Sequence, residues 1–184
     1  SVGKSNKIFI IGAGPSGVEL SCKVSDLYKS KFEVNIIEKT SEILNNSKIF
    51  NKEEAEKTIA QKNINLMKNY SVVEINDKQI LLANNLNQIE KFSYFDVIWT
   101  AGIKPNLPEF NQQIKQINNK ILINNNLQLN DYPNIFVIGD ISQIETTNSY
   151  PVTAQVAMQQ GEHVALNLKL LINNEKLLPF KFND

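Results

Sequence analysis

Over the first hundred residues, short apolar runs alternate with longer amphipathic stretches, the pattern of a parallel sheet covered by helices. Lys7-Ile8-Phe9-Ile10-Ile11 stops abruptly at Gly12 and predicts a buried strand. From Pro15 to about Lys29, the apolar residues Val18, Val24 and Leu27 recur at helical spacing, and residues 33–38 return to strand character. Strand, helix and strand within about thirty residues make a βαβ unit. A loop rich in Asn and Ser (residues 40–47) precedes an amphipathic helix over residues 52–62, marked by Ala55 and Ile59. Residues 64–67 predict a third strand. Residues 72–75 and 79–82 alternate with period two around Asn76-Asp77, which predicts a small antiparallel meander. One further strand is predicted over residues 92–99, before Ala101-Gly102.

Pro105 and Pro108 then punctuate the chain, and the pattern divides it into residues 1–103 and 104–184. In the second part, residues 120–123 and 127–129 predict short strands around an Asn-rich turn. Residues 135–138 predict a buried strand closed by Gly139-Asp140. A long helix is expected over residues 153–173, with Ala157, Gly161, Val164, Ala165, Leu168, Leu171 and Ile172 as its apolar stripe. The fold class that follows is α/β, with a Rossmann-like first part.

Gly12-Ala13-Gly14-Pro15-Ser16-Gly17 adds chemistry to this frame. As an isolated G-x-G-x-x-G it says little. Here it closes a strand, opens a helix, and has the acidic Glu38 at the end of the next strand. Gly12 permits a tight turn, Gly14 the close approach of a pyrophosphate, and Gly17 close helix–strand packing. The helix start, with Pro15 in its first turn, presents N–H groups to phosphate. Glu38 is placed to accept hydrogen bonds from ribose hydroxyls and to repel a 2′-phosphate, which favours NADH over NADPH. A glycine turn without a ligand is the plainer reading, and the strand–turn–helix context argues against it.

Composition narrows the partners. Among 184 residues the 19 basic and 19 acidic side chains cancel, which gives no electrostatic case for nucleic acid. Every basic residue is lysine, so no guanidinium is present to clamp a phosphate. A single cysteine, Cys22, excludes an internal disulfide and a vicinal redox pair, and its helical setting predicts a packed thiol. The lone histidine, His163, reads as a surface or packing residue, and no His, Cys or carboxylate cluster suggests a metal. No apolar run approaches the roughly 18 residues of a membrane span, and no secretory leader opens the chain. The start at Ser1, with a strand almost at once, predicts a piece of a longer protein.

Two more segments sharpen the picture: Ile98-Trp99-Thr100-Ala101-Gly102-Ile103-Lys104-Pro105-Asn106, and Asn134-Ile135-Phe136-Val137-Ile138-Gly139-Asp140. Standing in this order after the Gly12 turn, they make the chain resemble the pyridine nucleotide–disulfide reductase superfamily from Lys7 to the end. The resemblance implies a nicotinamide-binding domain set within a flavin-binding one. It places Gly102 in the turn that leaves the NAD domain, and Gly139 and Asp140 against the ribityl and pyrophosphate region of FAD. It also implies that the Gly12 turn belongs to NADH and that the FAD fingerprint is missing here. This chain alone is then expected neither to hold FAD tightly nor to turn over.

Gly14-Pro15-Ser16-Gly17-Val18-Glu19-Leu20, Phe50-Asn51-Lys52-Glu53-Glu54-Ala55 and Pro151-Val152-Thr153-Ala154-Gln155-Val156-Ala157-Met158-Gln159-Gln160-Gly161 look like type II NADH dehydrogenases, especially the cyanobacterial and plastid branch. That branch implies hydride transfer from NADH to FAD and onward to a quinone. It puts Ala154 and Gln155 beside the flavin, Gln155 and Gln159 on the wall shared with quinone, and Glu19 near the nicotinamide. Relatives often carry Glu where Gln160 stands. The parent is expected on a cytoplasmic or organellar membrane surface, peripherally attached and not secreted. The rival readings are a ferredoxin- or rubredoxin-type flavin reductase and a non-catalytic NADH-binding module.

Overall fold

A computed structural model describes residues 5–28, 31–45, 47–145 and 150–183. Lys29, where the first helix is expected to end, and Asn46, in the Asn-rich loop, lie outside the described residues. The chain forms two compact units, Ser1–Gly102 and Ile103–Asp184.

In the first unit, β1 (Lys7–Ile11), α1 (Pro15–Tyr28) and β2 (Glu33–Glu38) form the expected βαβ unit. Next come α2 (Ile49–Gln61), β3 (Asn65–Lys68), β4 (Ser71–Ile75), β5 (Gln79–Ala83), β6 (Ile89–Ser93) and β7 (Asp96–Trp99). The main sheet has the order β3-β2-β1-β7, and its pairings are all parallel. Alternation along β1 separates two cores. Ile8 and Ile10 pack with Val18, Val24 and Ile59 of the helices, while Phe9 and Ile11 pack with Ile80 and Leu82 of the meander. Both faces of the sheet are thus covered at its centre, which is why residues 8–11 of β1 and 34–37 of β2 are buried and, Asn35 apart, apolar. The one buried polar residue among these strands, Asn35 on β2, accepts a 2.8 Å hydrogen bond from the Nδ2 of its register partner Asn65.

The antiparallel sheet β4-β5-β6 turns at Asn76, whose Oδ1 accepts the N–H groups of Lys78 and Gln79 at 3.1 Å each. The strand expected over residues 92–99 is in fact two. Phe92 pairs with Ile80 in the meander and packs on Phe9, while residues 96–99 pair with β1 in the other layer. A chain passing from one layer to the other must break its ladder, and it does so at Tyr94-Phe95.

The second unit holds β8 (Gln116–Ile117), β9 (Lys120–Ile123), a 3-10 turn at Gly139–Ile141, β10 (Ser142–Ile144) and α3 (Ala154–Ile172). Its sheet order is β10-β9-β8. Ile121, Ile123, Leu127, Val137 and Phe180 form its core. Three expectations fail here. Residues 127–129 are not a strand, and neither are residues 135–138. They approach one another through a single bridge, Gln128 to Phe136, flanked by Leu129 N–H to Ile135 O and Val137 N–H to Leu127 O. Of the second run only Val137 is buried, because neither segment gains a ladder partner on its other edge.

The apolar stripe expected on α3 is also displaced. The buried face carries Val156, Gln160 and Asn167, whereas Leu168, Leu171 and Ile172 are exposed. Hydropathy could not foresee this, because two of the three inward residues are polar and gain backbone partners. Asn167 donates from Nδ2 to the Leu178 carbonyl at 3.0 Å and accepts the Leu178 N–H at 3.0 Å. Gln159 repeats the arrangement with Asn183, donating to its carbonyl at 2.8 Å and accepting its N–H at 3.0 Å. His163 Nε2, between them, lies 2.8 Å from the Leu178 carbonyl. Residues 178–183 are thus strapped antiparallel along α3, with Phe180 buried against Tyr150. His163 serves packing, as its sequence setting suggests.

Candidate functional site

The C-terminal ends of β1, β2 and β7 meet at the Gly12 turn. Gly12 donates its N–H to the Ile37 carbonyl at 2.8 Å and takes φ +101, a conformation open to glycine and strained for other residues. A Cβ there would meet Ala101 at 2.9 Å. At Gly17 a Cβ would run into the Gly12 carbonyl oxygen and reach Thr100 Oγ1 at 2.8 Å, so α1 lies as close to the turn as a glycine allows. Gly14 differs from both. Nothing lies within 4 Å of a Cβ placed on it, so its surroundings are open at the start of α1. Pro15 and Ser16 are exposed beside it. Such a helix start, open on the side where N–H groups emerge, suits an anionic pyrophosphate.

Glu38 closes the other side. Its Oε2 accepts the Ala13 N–H at 2.9 Å, and its Oε1 accepts the Thr40 N–H at 2.9 Å and the Thr40 hydroxyl at 2.8 Å. Burial pushes its pKa up, but the hydrogen bonds from Thr40, Ala13 and Lys39 outweigh burial and hold the carboxyl below the ordinary 4.5. Glu38 is therefore an anion tied to the glycine turn itself. A cleft of about 260 Å³ opens at this point, lined by Gly12, Glu38, Lys39, Tyr70 and Trp99 among others. The Tyr70 hydroxyl donates to Glu90 Oε1 at 2.7 Å, and that bond raises the phenol's pKa.

Sequence reasoning missed Thr100 as a structural clamp on this site. Its N–H and its hydroxyl both donate to the Ile11 carbonyl, at 2.9 and 2.8 Å, and the hydroxyl lies 3.2 Å from the Gly12 carbonyl. The signal was its place in the Thr-Ala-Gly turn, where a small hydroxyl residue follows an apolar strand. Gly102 is exposed at φ +79. Glu19 does not join the cleft. It is exposed on α1 and lines shallow grooves with Lys23 and with Phe50.

In the second unit Gly139 takes φ +73, and its N–H donates to the Oε1 of buried Gln160 at 2.7 Å. Ser142 Oγ donates to the Gly139 carbonyl at 2.8 Å, so the turn is held from both sides. Asp140 is exposed in that turn. Thr153 caps α3, its Oγ1 accepting the Val156 N–H at 3.3 Å, and Ala154 and Gln155 are exposed just beyond. The cavity beneath, lined by Gly139, Asp140, Thr153 and Gln160, holds only about 20 Å³, room for a single water. Asp140 and Gln155 both lie at the surface of this unit. Gln159, expected to share a wall with Gln155, has its carboxamide bonded on both sides to the Asn183 backbone. No group of His, Cys, Asp and Glu among the described residues could hold a metal, and none of their helices is long and apolar enough to cross a membrane.

The family model described as pyridine nucleotide-disulphide oxidoreductase matches residues 1–161. The alternative NAD(P)H-ubiquinone oxidoreductase C1, chloroplastic/mitochondrial, of Arabidopsis thaliana is 28% identical over 99% of this chain and 38% of its own length. Demethylphylloquinone reductase NdbB of Synechocystis is 30% identical over 96% of this chain and 44% of its own. The chain thus spans about two-fifths of the length of these two relatives. Among solved structures, NDH2 from Plasmodium falciparum in complex with NADH superposes with a TM-score of 0.69 at 22% identity, covering 93% of this chain and 38% of that one.

Proposed function

The chain belongs to the pyridine nucleotide-disulphide oxidoreductase family, and we propose that it forms the NADH-binding domain and part of the FAD-binding domain of a quinone-reducing NADH dehydrogenase. The observation that carries this reading is the pairing of an open Gly14 with an anionic Glu38 on either side of one glycine turn. On this reading Gly12, Gly14, Pro15 and Gly17 receive the pyrophosphate of NADH, and Glu38 receives the adenosine ribose hydroxyls. Glu38 then exchanges its bonds to Thr40 for bonds to the ribose. Gly102 turns the chain out of this domain, and Glu19 serves the nicotinamide end from the flank of α1.

In the second unit Gly139 and Asp140 would face the ribityl and pyrophosphate region of FAD. Ala154 and Gln155, at the start of α3, would face its ring. When bound, FAD accepts the hydride of NADH and delivers electrons to the quinone. The protein's own part is to hold each cofactor and, in the second unit, to place the positive end of α3 near the flavin. Gln160 holds the Gly139 turn through its amide oxygen, a task that a neutral side chain performs and that assigns it no proton to move. The quinone-reductase names of both relatives support the acceptor, and the membrane that holds the quinone would be met peripherally.

Calorimetric titration of the 184-residue chain with NADH and NADPH tests the reading. Tighter binding of NADH is expected. Gly14→Ala should weaken it about tenfold with a nearly unchanged melting temperature, since the added Cβ enters the ligand's space and has no protein atom within 4 Å beyond its chain neighbours. Failure of NADH to bind, or preference for NADPH, would overturn it.

A further inference from the structure

Trp99 is the only tryptophan in the chain, and the residue is 60% exposed at the end of β7. Exposure of so large an apolar ring at the end of a core strand is costly unless something covers it. The ring is also fixed. Its Nε1–H donates to the Ala101 carbonyl at 2.7 Å, which satisfies the one polar atom and leaves the aromatic face to other contacts. Trp99 pairs in register with Ile11, the last residue of β1, and Ile11 pairs with Ile37, next to Glu38. All four line the same 260 Å³ cleft, with Tyr70.

We propose that Trp99 is the platform on which the adenine ring of the dinucleotide stacks, and that it sets much of the affinity for the adenosine half. The proposal rests on Glu38 holding the adenosine ribose. A base joined to that ribose has the exposed indole as the free aromatic surface of its own cleft, whereas the Tyr70 ring is half-buried and packed against the core of Phe9, Ile80 and Leu82. Stacking on a pre-fixed aromatic surface costs little conformational entropy and accepts any flat base.

The sole indole is its own reporter. AMP and NADH should quench the fluorescence of the intact chain, and nicotinamide mononucleotide should not. By calorimetry, Trp99→Leu should weaken AMP and NADH about tenfold. Trp99→Phe keeps an aromatic face and loses the bond to Ala101, and should stay within about threefold of the native chain. Equal losses in the two variants would mean that Trp99 acts only by holding Ala101, and would overturn the proposal. So would NADH binding with unchanged emission and unchanged affinity in Trp99→Leu. If the native chain binds neither NADH nor AMP, the NADH reading itself falls, and the platform with it.

Discussion

Glu38 has two tasks that pull on the same oxygens: bracing the glycine turn through Ala13 and Thr40, and receiving a ribose. Its removal should therefore show in both stability and specificity. Glu38→Ala is expected to lower NADH affinity about tenfold and to narrow the gap to NADPH, as loss of charged hydrogen bonds and of repulsion towards a 2′-phosphate requires. Paired titrations with both nucleotides measure it. The carboxyl's pKa is lower in the folded chain than the ordinary 4.5. Its stabilising contribution is therefore complete above about that value and is lost as pH falls through the depressed one. Denaturation midpoints followed downward from pH 5 should fall less steeply in Glu38→Gln than in the native chain, whereas parallel curves would mean that the turn does not depend on the charge. Gly17→Ala should destabilise by about 1–3 kcal/mol, because the obstacle to its methyl is backbone and cannot swing aside. An unchanged melting temperature would contradict the tight seat of α1.

At the scale of elements, the βαβ unit was legible because each piece is announced locally: an isoleucine run, a glycine turn, an amphipathic helix, a second apolar run. Non-local events were not. The polar Ser93 and Asp96 around Tyr94-Phe95 do not by themselves mark the crossing between two layers, since apolar residues lie on both sides and each side finds a different sheet. The same limit hid the true inner face of α3. A periodicity argument ranks Leu168 and Ile172 above Gln160 and Asn167, and it cannot see that Gly139 and Leu178 hold out backbone groups to those amides. In the site, Gly12, Gly17 and Glu38 were readable from spacing, while Thr100 and Trp99 were not, because their partners are carbonyls fixed only by the fold. Asn167→Leu, which hydropathy alone would favour, should cost about 1–3 kcal/mol by leaving the Leu178 N–H and carbonyl unpaired. Chemical denaturation of the variant checks this. In the complete enzyme, Gln155→Leu should slow reoxidation of the flavin by quinone more than its reduction by NADH. Stopped-flow traces with both phases slowed alike would remove Gln155 from the quinone wall.

Across the whole molecule, strand pairing is uneven. β1 is paired on both edges and buried on both faces, whereas residues 135–138 hold on through a single bridge. Amide hydrogen exchange should be slowest at residues 8–11 and 34–37 and much faster at residues 135–138; comparable protection in all three would mean that the second unit is stiffer than its pairing allows. The strap along α3 has one more consequence. Gln159 and Asn167 read only N–H and C=O groups, which every residue but proline offers alike. Residues 178 and 183 are therefore free to drift in sequence while the two amides on the helix are not. A library randomised at both ends should retain carboxamides at 159 and 167, accept nearly anything at 178 and 183, and reject proline at those last two positions.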